Sequence, residues 1–131
     1  MIPGDIFDAL MVQVHQRAQT LPAGSYTTKL IRGGSVKIGS KILEEALETV
    51  IAATECDASA AGLMEPSNAG MASEKAQSQL VYEACDLIYH LWVLLGSHGV
   101  TVEQLRRELE RREGVSGLDE KKSRTTEGKS S

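Results

Sequence analysis

The stretch LVYEACDLIYHLWVLLG, residues 80–96, is the most apolar part of the chain, yet it carries charge in its middle. Its composition predicts a long helix, on which Glu83, Asp86 and His90 stand three and four residues apart along one side. An ionised carboxylate is unfavourable among apolar neighbours, because burial disfavours the charged form. Two carboxylates in this setting therefore require a cation or a polar partner.

The rest of the chain shows helical patterns separated by turns, with no convincing strand pattern. Helices are predicted over residues 5–19, 27–31, 35–54, 74–97 and 101–113. We therefore predict an all-α bundle of four to five helices, forming one domain over residues 1–115 and followed by a polar tail over 116–131. Within that domain, residues 56–76 are rich in Ala, Ser and Gly without any period, and they predict a flexible insertion.

The helix predicted after Ser35 repeats the acidic arrangement of the later helix. Glu45 and Glu48 lie three residues apart beside its apolar face, as Glu83 and Asp86 do on the other helix. That apolar face is predicted to consist of Ile38, Ile42, Leu43, Ala46, Leu47 and Val50. If the two helices pack antiparallel, four carboxylates converge on one pocket. Their oxygen atoms suit Mg²⁺, with Mn²⁺ as an alternative.

Four stretches together resemble a known family. They are SYTTKL at residues 25–30, KILEEALE at 41–48, EACDLIYHLWVLL at 83–95 and SGLDEK at 116–121. The pair EE-x-x-E and E-x-x-D is typical of the all-α, MazG-like nucleotide pyrophosphohydrolases. The SYT, D-L-x-Y-H and SG-x-x-EK elements resemble, more narrowly, phosphoribosyl-ATP pyrophosphohydrolase of histidine biosynthesis.

The resemblance implies a Mg²⁺-dependent homodimer that hydrolyses phosphoribosyl-ATP to phosphoribosyl-AMP and pyrophosphate. The metal ligands that it implies are Glu45, Glu48, Glu83 and Asp86. Glu44 and Glu45 are the implied catalytic carboxylates, with Glu44 binding a second ion or orienting water. The residues implied to hold substrate phosphates or ribose are Ser25, Tyr26, Thr27 and Lys41. Lys121, inside the SG-x-x-EK match, is expected to bind the polyanionic substrate as well.

Two other functions stay open from the sequence. The same metal site would serve a house-cleaning pyrophosphohydrolase that acts on free NTP or dNTP. If the acids are merely solvated, the chain is instead a non-enzymatic helical dimerisation module. A small chain with wide apolar helix faces favours a homodimer in either case.

Charge and hydropathy restrict the partners. With 14 basic and 18 acidic residues, the net charge of −4 argues against a nucleic-acid partner. The apolar run ending at Gly96 is interrupted by charge and too short to cross a membrane. Two isolated cysteines and the lack of a signal-peptide pattern predict a cytoplasmic protein.

Overall fold

The structure is a computed structural model that describes residues 4–60 and 69–114, with side chains from residue 73 onward in the second range. These residues form four helices, and no strand occurs among them. The helices are α1 (Ile6–Thr20), α2 (Tyr26–Ala60), α3 (Ala69–Ser97) and α4 (Val102–Arg112). The prediction of an all-α fold is confirmed.

The chain divides into two compact units between Gly99 and Val100, so α1–α3 belong to the first unit and α4 to the second. Helix α4, predicted over residues 101–113, begins with a capping box. Thr101 Oγ1 accepts from the backbone N–H of Gln104 at 3.2 Å, and Gln104 Oε1 accepts from the N–H of Thr101 at 2.8 Å. The predicted domain boundary at residue 115 stays a prediction, and the tail over 116–131 lies outside the described residues.

Helix α1 is capped at its start and packs closely against α3. Its start carries a capping box, in which Asp5 accepts from the backbone N–H of Asp8 and the Asp8 side chain accepts from that of Asp5. Val14 is fully buried, and a β-carbon built on Gly96 would lie 2.4 Å from Val14 Cγ1. Only a glycine therefore permits α1 to approach α3 this closely.

Helix α2 consists of two arms joined at Gly34, where φ is +85° and ψ is 174°. Tyr26 contacts His90, whereas Ser35 contacts His98 at the far end of α3. The chain therefore runs parallel to α3 over residues 26–33, and reverses at Gly34 to run antiparallel over residues 35–60. The predicted interruption between helices over 27–31 and 35–54 is confirmed and falls at Gly34, because glycine adopts this positive φ without a steric penalty.

The predicted connection over residues 56–76 is wrong at both ends. Helix α2 continues to Ala60, six residues beyond the predicted end, and α3 already begins at Ala69. The flanking sequence lacks an amphipathic period, but it is rich in alanine, which has the highest intrinsic helix propensity. Residues 61–68, where the rest of the predicted insertion falls, lie outside the described residues.

The core lies where α1, α2 and α3 meet. Its fully buried side chains are Val14, Leu30, Ile38 and Val93. On α2 the buried positions after the kink recur every seventh residue, at Ile38, Glu45, Ala52 and Ser59. The predicted apolar face of this helix is therefore wrong over much of its length, because Leu43 and Leu47 are 74% and 62% exposed. The helix is rotated so that the acidic stripe, rather than the leucine stripe, faces α3.

Candidate active site

Three carboxylates meet between the second arm of α2 and α3. Glu45 on α2 and Glu83 and Asp86 on α3 each place one oxygen within 4.8 Å of the other two. Glu45 is only 8% exposed, whereas the other two residues are half-buried. The antiparallel run of these two segments brings residues far apart in sequence to the same level, so three of the four predicted metal ligands lie together.

Glu48, the fourth predicted ligand, lies beside Glu83. The pKa of Glu83 is raised by burial, and the neighbouring carboxylates of Glu48 and Asp86 raise it further. Gln79 opposes this shift, because its side-chain amide donates to Glu83 Oε1 at 2.8 Å. The Gln79 amide therefore offsets only part of the repulsion among these carboxylates. A positive charge at the cluster would relieve the remainder.

The donor set fits a hard divalent cation. Glu45 Oε2 and Glu83 Oε2 are buried and accept no hydrogen bond from the residues that the structure describes. Buried polar atoms usually have a partner, so these two carboxylate oxygens remain available to a cation. Oxygen ligands from carboxylates are those that Mg²⁺ and Mn²⁺ prefer.

Lys41 and Glu44 form an ion pair outside the three-carboxylate cluster. Lys41 Nζ lies 3.3 Å from Glu44 Oε2, and both side chains are substantially exposed. The hydrogen bond and charge of Glu44 raise the pKa of Lys41, and Tyr26 also contributes. The charge of Glu45 raises the pKa of Lys41 as well. Lys41 therefore lies close enough to the cluster to contact an anionic ligand bound there.

Ser25 and Thr27, two predicted substrate-binding residues, make contacts within the protein. Ser25 Oγ accepts from the backbone N–H of Thr28 at 3.3 Å and from the Arg17 guanidinium at 3.0 Å. The Thr27 hydroxyl is buried and lies 2.5 Å from the Tyr89 hydroxyl. These contacts fix the start of α2 against α1 and α3. Lys121 lies outside the described residues.

Tyr26 is held at the site by His90. The carbonyl oxygen of Asp86 lies 2.9 Å from His90 Nδ1 and can only accept, so Nδ1 carries the hydrogen. In the neutral imidazole Nε2 is then the acceptor, and the Tyr26 hydroxyl, 3.0 Å away, donates to it. His90 is buried, and both of its ring nitrogens make contacts within the protein. The half-exposed ring of Tyr26 is thereby tied to the helical turn that carries Asp86.

Two residues of this region received no role from the sequence. Gln79 lies four residues before Glu83 on the same stripe, and this spacing was the available signal for their hydrogen bond. Arg17 contacts Ser25 across the turn between α1 and α2, so no helical spacing connects the two. Among the described residues, no helix has the length and apolar character needed to cross a membrane.

Comparison with known proteins gives one consistent match. A family described as phosphoribosyl-ATP pyrophosphohydrolase matches residues 7–113. The phosphoribosyl-ATP pyrophosphatase of Rhodopirellula baltica is 44% identical over 117 residues, covering 89% of this chain and 84% of that protein. The enzyme of the same name from Cupriavidus metallidurans is 48% identical over 103 residues, covering 79% of this chain and 75% of that protein.

The chain belongs to the phosphoribosyl-ATP pyrophosphohydrolase family. The resemblance drawn from the four motifs is therefore confirmed. The family match contains the whole three-carboxylate cluster together with Glu48, whereas Lys121 lies beyond its end. The chain also matches the histidine biosynthesis bifunctional protein HisIE of Wolinella succinogenes, at 36% identity over 119 residues. That alignment covers 91% of this chain and 44% of the bifunctional protein.

Proposed function

We propose that this family member hydrolyses phosphoribosyl-ATP to phosphoribosyl-AMP and pyrophosphate, using Mg²⁺ or alternatively Mn²⁺. The proposed metal ligands are Glu45, Glu48, Glu83 and Asp86. The observation that carries the proposal is the convergence of three carboxylates within 4.8 Å, with two buried oxygens that have no partner among the described residues. The names of the family and of the relatives supply the substrate.

The reaction adds water across the bond between the α- and β-phosphates. The water oxygen forms a new P–O bond, the bridging P–O bond breaks, and a water proton passes to a base. A bound divalent ion would neutralise phosphate oxygens and lower the pKa of the attacking water. We assign the proton-accepting role to Glu45, through the carboxylate oxygen that does not bind the ion, and an accessory, water-orienting role to Glu44.

Substrate contacts are proposed on the side of the cluster where Lys41 lies. The Lys41 ammonium can exchange its exposed pairing with Glu44 for a phosphate oxygen. Tyr26 offers its half-exposed ring and a hydroxyl oxygen that remains able to accept. Ser25 and Thr27 support this contact by positioning the start of α2. Lys121 stays a proposed phosphate contact from the tail.

We also propose that the chain functions as a homodimer in the cytoplasm. Large apolar side chains are exposed along α2 and at one point on α3. They are Leu43, Leu47 and Val50 on α2 and Val81 and Tyr82 on α3. Adjacent exposed apolar side chains of this kind are typical of an interaction surface. A second copy of the chain is the proposed occupant.

The decisive test compares phosphoribosyl-ATP with a panel of NTPs and dNTPs, measuring pyrophosphate with and without Mg²⁺. Selective, Mg²⁺-dependent turnover of phosphoribosyl-ATP is expected, and Asp86→Asn should abolish it. Equal or better turnover of free nucleotides would assign the chain to the house-cleaning class instead. If no nucleotide is turned over and Mg²⁺ gives no thermal stabilisation, the chain would be assigned to the non-enzymatic helical dimerisation module instead.

A further inference from the structure

A cleft of about 720 Å³ extends from the acidic cluster toward the far ends of α2 and α3. Glu48 and Glu83 line its near end, so the cleft and the proposed metal site share these two side chains. Beyond them the walls are largely apolar, formed by Ile51, Ala52, Ala58 and Ala76. A molecule bound at the carboxylates therefore has room for a further group against this apolar wall.

Lys75 is the cationic residue of the cleft. It precedes Glu83 by eight residues on α3, which places its Cα about 12 Å farther along the helix axis at roughly 1.5 Å per residue. Unlike Lys41, which is paired with Glu44, Lys75 forms no ion pair with any described residue. An exposed ammonium group with no ion-pair partner in the described ranges 4–60 and 69–114, at the end of an apolar cleft, can bind a second anion remote from the proposed metal site.

The substrate of the proposed function has anionic groups at two separate points. One is the triphosphate that is cleaved, and the other is the 5-phosphate of the ribosyl group attached to the adenine. Free ATP carries only the first. With the triphosphate at the carboxylates, the added phosphoribosyl group must extend away from them. The cleft provides apolar walls for the base and a positive charge beyond it.

We infer that this cleft binds the phosphoribosyl group on the base, with its terminal phosphate on Lys75. Glu55 and Gln79 also line the cleft and can bond sugar hydroxyls, Glu55 as an acceptor and Gln79 through its amide. Lys75 is thus a residue that distinguishes phosphoribosyl-ATP from ATP. The inference rests on the proposed function and adds to it the determinant of substrate choice.

The test uses the full chain and two nucleotides that differ only in the phosphoribosyl group, phosphoribosyl-AMP and AMP. Binding is measured by calorimetry in the presence of Mg²⁺, so that no turnover is needed. The wild-type chain should bind phosphoribosyl-AMP more tightly than AMP. Lys75→Gln should weaken phosphoribosyl-AMP binding roughly ten- to hundredfold, as expected for a lost charged hydrogen bond, and leave AMP binding unchanged.

Kinetics supply the second measurement. Lys75→Gln should raise the KM for phosphoribosyl-ATP by a similar factor with little change in kcat, and Lys75→Arg should restore most of the affinity. Lys37→Gln, which removes an exposed lysine outside the cleft, is the matched control and should change neither value. Unchanged binding and KM in Lys75→Gln, in an enzyme that turns over phosphoribosyl-ATP, would overturn the inference alone. A wild-type chain without that activity would instead contradict the proposed function.

Discussion

The second arm of α2 reverses the pattern of an ordinary amphipathic helix, because it buries an acidic side chain and exposes leucines. Toward α3 it buries Glu45, with 8% of the residue exposed, on the same stripe as Ile38. Away from α3 it exposes Leu43 and Leu47. A globular helix normally places its leucines inside and its glutamates outside. Both sides therefore depart from what a single isolated chain would favour.

This difference is the basis for the proposed metal site on one side and the proposed dimer interface on the other. The inner side accumulates like charges and unpaired carboxylate oxygens, which a divalent cation would neutralise. The outer side exposes apolar area, which a second copy would bury. The proposed metal site and the proposed dimer interface therefore lie on opposite faces of one helix, and the two faces can be disrupted separately.

The largest effect is expected from the inner side. Glu45→Gln or Asp86→Asn should reduce pyrophosphate release roughly a hundredfold or more, because each removes a proposed metal ligand without changing side-chain size. Helicity by circular dichroism should be unchanged. Glu103→Gln, an exposed glutamate on α4 paired with Arg107, serves as the control and should retain activity. Near-normal turnover by either ligand variant at low Mg²⁺ would show that the site is assigned incorrectly.

The outer side is tested by introducing charged side chains into the proposed dimer interface. The double variant Leu43→Glu, Leu47→Glu should convert a dimer into a monomer, because the new carboxylates would be buried without partners in the interface. Sedimentation velocity at micromolar concentration measures the change. Leu109→Glu, at a leucine that is exposed on α4, should leave the oligomeric state unaltered. A wild-type chain that sediments as a fully active monomer would contradict the proposed homodimer.

Substitutions at two neighbouring apolar residues show how burial on α2 affects the free energy of unfolding. Ile38→Ala, at a position that is 1% exposed, should lower the free energy of unfolding by about 2–5 kcal/mol through lost burial and a cavity. Val36→Ala, at 89% exposure, should change it by only about 0.5 kcal/mol. Urea denaturation of both variants gives the two values. Similar losses would mean that Val36 is as deeply buried in solution as Ile38.

The smallest effect concerns the charge of Glu83. Its pKa is raised in the folded chain, so the folded state binds this proton more tightly than the unfolded state. Without metal, stability should therefore fall as pH rises from the ordinary value of 4.5 through the raised pKa. Glu83→Gln should raise the metal-free Tm at pH 7 and reduce the further increase produced by Mg²⁺. A lower metal-free Tm in this variant would contradict the repulsion inferred at the cluster.

Local signals in the sequence were sufficient for much of the architecture. The helix starts at Asp5 and Thr101 and the interruption between residues 31 and 35 depend on interactions within a few residues, and all three occur where the predicted helix bounds place them. The spacing of Glu83 and Asp86 likewise requires only that α3 be helical. The extension of α2 to Ala60 was missed because alanine-rich segments form helix without producing an apolar period.

What the sequence by itself determined is which side chains share a stripe, since helical geometry repeats every 3.6 residues whatever surrounds it. It also carried the family, through motifs that remain recognisable without any structure. Only the tertiary structure decided which stripe of α2 faces α3, because acidic and leucine stripes lie side by side and periodicity does not define the packing direction. The same holds for Tyr26 and His90, and for Lys75 beside the cleft: contacts between separate segments depend on how the helices pack, and no local spacing encodes them.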